Sequence, residues 1–122
     1  MFKSLLFVVI GFVSCGLAAE ESCDLERGKK LYNKCAICHS FDDSGQHSVG
    51  PNLYGIVGSP VAAAPDFPYT VEMSEYGGVW SIEKLDKFLL SPMTVIPGTA
   101  MAFGGIRKED QRKDLLCYLK SS

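Results

Sequence analysis

The feature that most constrains this chain is the pentapeptide Cys35-Ala36-Ile37-Cys38-His39. The C-x-x-C-H order is the signature of covalent c-type haem attachment. Two thiols separated by two residues reach the two vinyl groups of one haem, and the next residue presents an imidazole to the iron. Attachment and axial ligation are thereby coupled. With 5 Cys and 2 His in 122 residues, coincidence gives roughly a 0.3% expectation of the motif. The alternatives are a redox C-x-x-C, which wants a βαβ context that the sequence does not display, and a zinc site, which needs two further ligands. The pattern favours haem.

A chain of 122 residues is one domain. Residues 1–19 carry Lys3, an apolar stretch from Leu5 to Val13, and the small residues Ser14, Gly16, Ala18 and Ala19. That is secretory signal grammar, with cleavage expected after Ala18 or Ala19 and the mature domain covering 20–122. Retention as an uncleaved anchor, or lipidation at Cys15, are the rival readings. The expected location is the periplasm, with the membrane involved only if the segment is retained. Cleavage removes one basic residue and no acid, taking 12 basic residues to 11 against 14 acidic ones and the formal charge from −2 to −3. Such a balance speaks against a nucleic-acid partner.

The periodicity predicts three main helices and no strands. From Ser22 to Lys34, Leu25, Gly28, Leu31 and Tyr32 share a face, with Ser22 or Asp24 as the cap. Ser81 caps a second helix with Leu85, Phe88 and Leu89 on one side, stopped by Ser91-Pro92. Glu109 and Asp110 open a third, with Leu115, Tyr118 and Leu119 as its stripe and Lys120 at its end. Between the first two, 41–79 is rich in Gly, Pro, Ser and Asp and reads as a long ordered loop. A loop this long, carrying Tyr54, Phe67 and Tyr69 and running up to Trp80, is expected to wrap something that needs covering.

Pro97-Gly98-Thr99-Ala100-Met101 is the second chemical signal, because a thioether is a soft ligand suited to the sixth position of a haem iron opposite His39. At this point the chain resembles a class I cytochrome c of the mitochondrial and bacterial c2 type. The matching stretches are Cys35 to His39, Gly50-Pro51-Asn52-Leu53, Phe67 to Thr70, Trp80, Ile96 to Met101 with Phe103, and Asp114 to Lys120. The resemblance implies an all-α small cytochrome c fold, with long loops wrapped around one covalently bound haem c and its iron.

The resemblance also implies roles. Cys35 and Cys38 hold the haem, and His39 and Met101 ligate the iron. Pro51 offers its carbonyl to the His39 ring, which fixes its orientation and raises its basicity. Tyr69 and Trp80 bond one propionate and Thr99 the other, while Phe103 lies beside the exposed haem edge. Each has a plainer reading: Pro51 as a turn proline, Tyr69 and Trp80 as core aromatics, Thr99 and Phe103 as structural residues, and Met101 as a core methionine like Met73 or Met93. His47, in a polar loop, is expected to be solvated and outside the site. Three positions depart from the family pattern: Ser59 for a propionate-facing Arg, Phe88 for a Tyr, and Ala100 for a Lys.

The resemblance places the first and last helices across each other, which brings Cys23 and Cys117 close enough for a disulfide in an oxidising compartment. Two free buried thiols are the alternative. The implied function is a monomeric one-electron carrier, not an enzyme, working between redox proteins: a bc1-type complex, an oxidase, a reductase or a dehydrogenase. Lys34 and Lys87 remain of the family's lysines around the haem edge, whereas Ala100 and Met93 stand at matching positions, so the partner is expected to depend less on charge steering. Two other readings belong to different classes. One is a haem sensor or peroxidase-like enzyme with a labile Met101, and the other is an anchored subunit of a membrane redox complex.

Overall fold

Asp24 begins the first helix by accepting the Arg27 N–H on its carboxylate at 2.9 Å, and α1 (Leu25–Tyr32) follows. The computed structural model describes residues 9–12, 16 and 22–122. The expected export segment and Cys15 lie outside the described residues except at 9–12 and 16, where the side chains are exposed. Among the described residues no helix is long and apolar enough to cross a membrane.

Among the described residues four further helices complete an all-α arrangement: α2 (Val71–Tyr76), α3 (Ile82–Leu90), α4 (Pro92–Val95) and α5 (Glu109–Lys120). α1, α3 and α5 are the three read from periodicity. Ser81 caps α3 by accepting the Lys84 N–H at 3.1 Å, and Ser91 ends it. Pro92 then does more than stop the chain, since it occupies the first turn of α4, where its missing N–H costs nothing.

α2 falls inside the stretch expected to be loop. Six residues are too few for a helical period to show, but the local signals are present. Thr70 accepts the Met73 N–H at 3.2 Å, Glu72 sits in the first turn, and Gly77 closes the end. The rest of 41–79 is turns, tied to the start of α3 by backbone bonds from Gly58 N–H to Trp80 O, Trp80 N–H to Ser59 O and Val61 N–H to Gly78 O.

α1 crosses α5 at Gly28. A Cβ there would stand 2.2 Å from the Asp114 carbonyl oxygen, so only glycine permits the approach. Asp114 is buried and fastens the crossing: its carboxylate accepts the Asp24 N–H at 2.8 Å and the Arg27 Nε–H. One turn before the crossing, Leu25 is 50% exposed, so it does not join the buried face on which the pattern places it. Cys23 and Cys117 form a disulfide with Cα atoms 6.4 Å apart, so the free-thiol alternative does not hold for this pair.

The core gathers Leu85, Phe88 and Leu89 of α3, Leu115, Leu116 and Leu119 of α5, Tyr32 of α1, and Trp80, Ile96 and Ile106 from the connecting segments. Burying each of the large aliphatic side chains is worth about 2 kcal/mol. Phe41 and Tyr118 extend the packing around Tyr32, with ring centroids 5.1 and 5.5 Å from it.

Candidate functional site

The motif is carried by turns continuous with α1. Cys35 N–H and Ala36 N–H bond to Tyr32 O at 2.8 and 2.9 Å, and Cys38 N–H and His39 N–H bond to Cys35 O at 3.0 and 2.9 Å. Cys35 and Cys38 are free, half-buried thiols. Burial pushes Cys35 up to about 11, with Lys34 opposing and Cys38 adding to the rise. A thiol held protonated is a poor match for a redox C-x-x-C, whose attacking cysteine is a thiolate. Among the described residues no three His, Cys, Asp or Glu side chains cluster to hold a metal ion, so the zinc alternative has no ligand set here.

His39 is oriented from two sides. Its Nδ1 lies 2.7 Å from the Pro51 carbonyl oxygen, which accepts only, so Nδ1 carries the proton. Nε2 is then the nitrogen with a free lone pair. A Cβ on Gly50 would stand 2.4 Å from the ring Cε1, so glycine is required where the backbone passes the imidazole. Burial lowers the pKa of His39, opposed by the Pro51 bond, and the neutral ring is favoured. Tyr32 Oη–H donates to the His39 carbonyl at 3.2 Å.

His47 shows the reverse pattern and corrects the expectation of a solvated side chain. It is half-buried, its Nδ1 accepts the Asn52 N–H at 3.0 Å, and its Nε2 donates to the Pro65 carbonyl at 2.6 Å. Both nitrogens are occupied, and the ring ties two loops together.

Met101 lies half-buried in a loop between Ile96 and Ile106. Thr99 Oγ1 accepts the Met101 N–H at 3.3 Å, and the Phe103 N–H bonds to Met101 O at 3.0 Å. Cys35, Met101 and Phe103 all pack against the same buried cluster, which contains Trp80 and Phe88. The motif and the thioether loop thus both border the one core. Tyr69 Oη accepts the Ala64 N–H at 3.1 Å, leaving its own proton to donate elsewhere, and burial raises its pKa.

A cavity of about 380 Å³ is lined by Trp80, Ser59, Asn52, His47 and Ala64, among others, and joins two of the family-matched regions to a departure position. A larger hollow of about 590 Å³ at the start of α1, between Ser22, Arg27 and Asp114, contains none of the candidate ligands. Sequence reasoning missed Gly50 and Tyr32 as supports. Gly50 had a signal in its place beside Pro51, and Tyr32 in its place three residues before Cys35.

The sequence model of the family described as Cytochrome c matches residues 25–122. The chain is 40% identical over 102 residues to a cytochrome c homolog of Bradyrhizobium diazoefficiens, covering 83% of this chain and 55% of that protein. It is 39% identical over 101 residues to a cytochrome c homolog of Rickettsia prowazekii, covering 83% and 58%. It is 42% identical over 100 residues to cytochrome c of Theileria parva, covering 81% and 86%. The chain thus spans little more than half the length of the bacterial relatives and most of the length of the Theileria protein.

Proposed function

Because the chain belongs to the cytochrome c family, we propose that it is an exported mono-haem electron carrier. Cys35 and Cys38 would hold the haem, and the His39 imidazole and the Met101 thioether would bind its iron. The bound haem supplies a one-electron Fe(III)/Fe(II) couple.

The observation that carries this reading is the His39 to Pro51 hydrogen bond, beside two free thiols one and four residues earlier. It leaves Nε2 as the basic nitrogen, orients the ring and strengthens it as a donor. The described cysteines outside the motif are already joined to each other, which leaves Cys35 and Cys38 for attachment. Met101, half-buried at the edge of the core, supplies the soft ligand that favours the ferrous state. Trp80 and Phe88 are buried in the core that the site borders, and Tyr69 and Thr99 retain hydroxyl protons to donate to propionates. With His39 and Met101 both engaged, the iron would offer a small substrate no free position, which would suit electron transfer better than catalysis.

Its partners are redox proteins of the exported compartment: a bc1-type complex, an oxidase, a reductase or a dehydrogenase. Exposed Met93 and Ala100 support docking that depends weakly on salt.

The test is to express the chain with a haem-maturation system and record ferric and ferrous spectra with and without carbon monoxide. The expected result is a low-spin spectrum with the methionine-to-ferric-iron charge-transfer band and no carbon monoxide binding. Ready binding by the native protein would move the assignment to a sensor or peroxidase-like enzyme. Recovery of the protein in the soluble periplasmic fraction is expected, and tight membrane association would overturn the cleaved export segment.

A further inference from the structure

We infer that Arg112 is a positioning residue that locks the far end of the Met101 loop and thereby sets how readily the thioether leaves. The inference rests on the proposed ligation by Met101.

Within the loop the bonds are local. Thr99 N–H reaches Ile96 O, Met101 N–H reaches Thr99 Oγ1, and Phe103 N–H reaches Met101 O, none spanning more than three residues. Such bonds shape the loop but do not attach it to the rest of the molecule. Long-range attachment comes where the loop ends, at Ile106. Its N–H bonds to Leu89 O of α3 at 2.8 Å, and its carbonyl accepts Arg112 Nη1 at 2.9 Å. The same Nη1 donates to the Arg107 carbonyl at 2.9 Å, and Arg112 Nε donates to Asp86 Oδ1 of α3 at 2.7 Å.

Arg112 is buried, with 6% of its surface exposed. A buried guanidinium is costly unless its donors are satisfied. Here they are spent on one place: a single side chain of α5 grips two successive carbonyls at the end of the ligand loop and an acid on α3. The planar fork is what makes this geometry possible, because a lysine ammonium on a flexible stem lacks the paired Nε and Nη1 donors at fixed angles. Loss of the fork leaves the Ile106 and Arg107 carbonyls without their charged donor and frees the loop end to move. Met101 lies five residues upstream, so that motion reaches it directly.

The experiment uses the haem-loaded full chain and added imidazole, which replaces methionine at a rate set by loop opening. Four proteins are compared: the unaltered chain, Arg112→Lys, Asp86→Asn, and the double variant Cys23→Ser/Cys117→Ser. Arg112→Lys keeps the charge and loses the fork, and it is expected to take imidazole about tenfold faster, the effect of losing one charged hydrogen bond. Asp86→Asn is expected to speed the reaction about threefold, and it carries the test if Arg112→Lys does not fold. The disulfide variant is expected to be less stable overall yet to keep the original rate.

Rates for Arg112→Lys and Asp86→Asn within twofold of the unaltered chain, with the methionine band present, would sink the inference and leave the ligand assignment standing. Equal acceleration in the disulfide variant would also sink it, by reducing Arg112 to a general stabiliser. Absence of the methionine band from the unaltered chain would remove the ligand assignment and this inference with it.

Discussion

The two protein segments that bear the candidate ligands are held in opposite ways. Cys35, Cys38 and His39 grow from α1, whose crossing with α5 is fastened by bonds between residues far apart in sequence. The disulfide spans 94 positions, and the bonds of Asp114 to Asp24 and Arg27 span 90 and 87. Met101 sits in a loop whose interior bonds reach no further than three residues. Long-range bonds open only when the domain unfolds, whereas local ones open alone. Under the proposed ligation, the difference would pair a permanently held ligand, His39, with a conditionally held one, Met101.

The largest expected effect lies at the crossing. Removing the disulfide with Cys23→Ser/Cys117→Ser is expected to cost about 4 kcal/mol in denaturant unfolding, because the reduced chain regains the freedom of a long closed loop. The methionine band of the folded variant should be unchanged. A loss below about 1 kcal/mol would mean that packing alone holds the crossing. Gly28→Ala tests the packing directly. Alanine normally gains about 1 kcal/mol over glycine in a helix. Here its Cβ meets the Asp114 carbonyl oxygen at 2.2 Å, and the net loss is expected to be about 3 kcal/mol. A neutral or stabilised Gly28→Ala protein would show that the helices separate at little cost.

Asp114 gives the crossing a pH dependence. Burial alone would raise its pKa, but the Asp24 N–H and the Arg27 side chain outweigh burial and hold it below the ordinary value of 3.8. Because the folded pKa is depressed, this stabilisation is fully present above 3.8 and is lost as pH falls through the folded value. Asp114→Asn is expected to cost about 2 kcal/mol at neutral pH, discounted because Arg27 is half exposed and its attraction is screened. Thermal melts over an acid series should show a shallower acid limb for the variant. Parallel limbs would remove Asp114 from the account.

The three packed helices were legible because each sets apolar residues three and four positions apart and carries a cap or a charge at its start. α2 and α4 were not, since six and four residues are too short for a period, and Thr70 and Pro92 mark their starts only once the turns are known. The motif itself needed no structure. The support of His39 by Pro51 was visible through family resemblance alone, and its geometric requirement for Gly50 became clear only when the backbone was seen against the ring. His47 was misjudged because polar neighbours in sequence said nothing about Pro65, which lies 18 residues away and accepts its proton. Arg112 was silent for the same reason: its partners belong to other segments, and a lone arginine in a helix has no local signature.

Thr99 marks the weak end of the scale and tests the contrast from the loop side. Its Oγ1 accepts the Met101 N–H at 3.3 Å, a long bond in a half-buried place. Thr99→Val keeps the shape and loses the acceptor, so global stability should fall by less than about 1 kcal/mol. The local consequence should be larger in proportion, because this bond shapes the turn that bears the thioether: imidazole binding is expected to speed up about threefold, while Thr99→Ser behaves like the unaltered chain. A Thr99→Val protein as destabilised as Gly28→Ala would mean that the loop is part of the cooperative core after all. The distinction between a permanent and a conditional ligand would then have no structural basis.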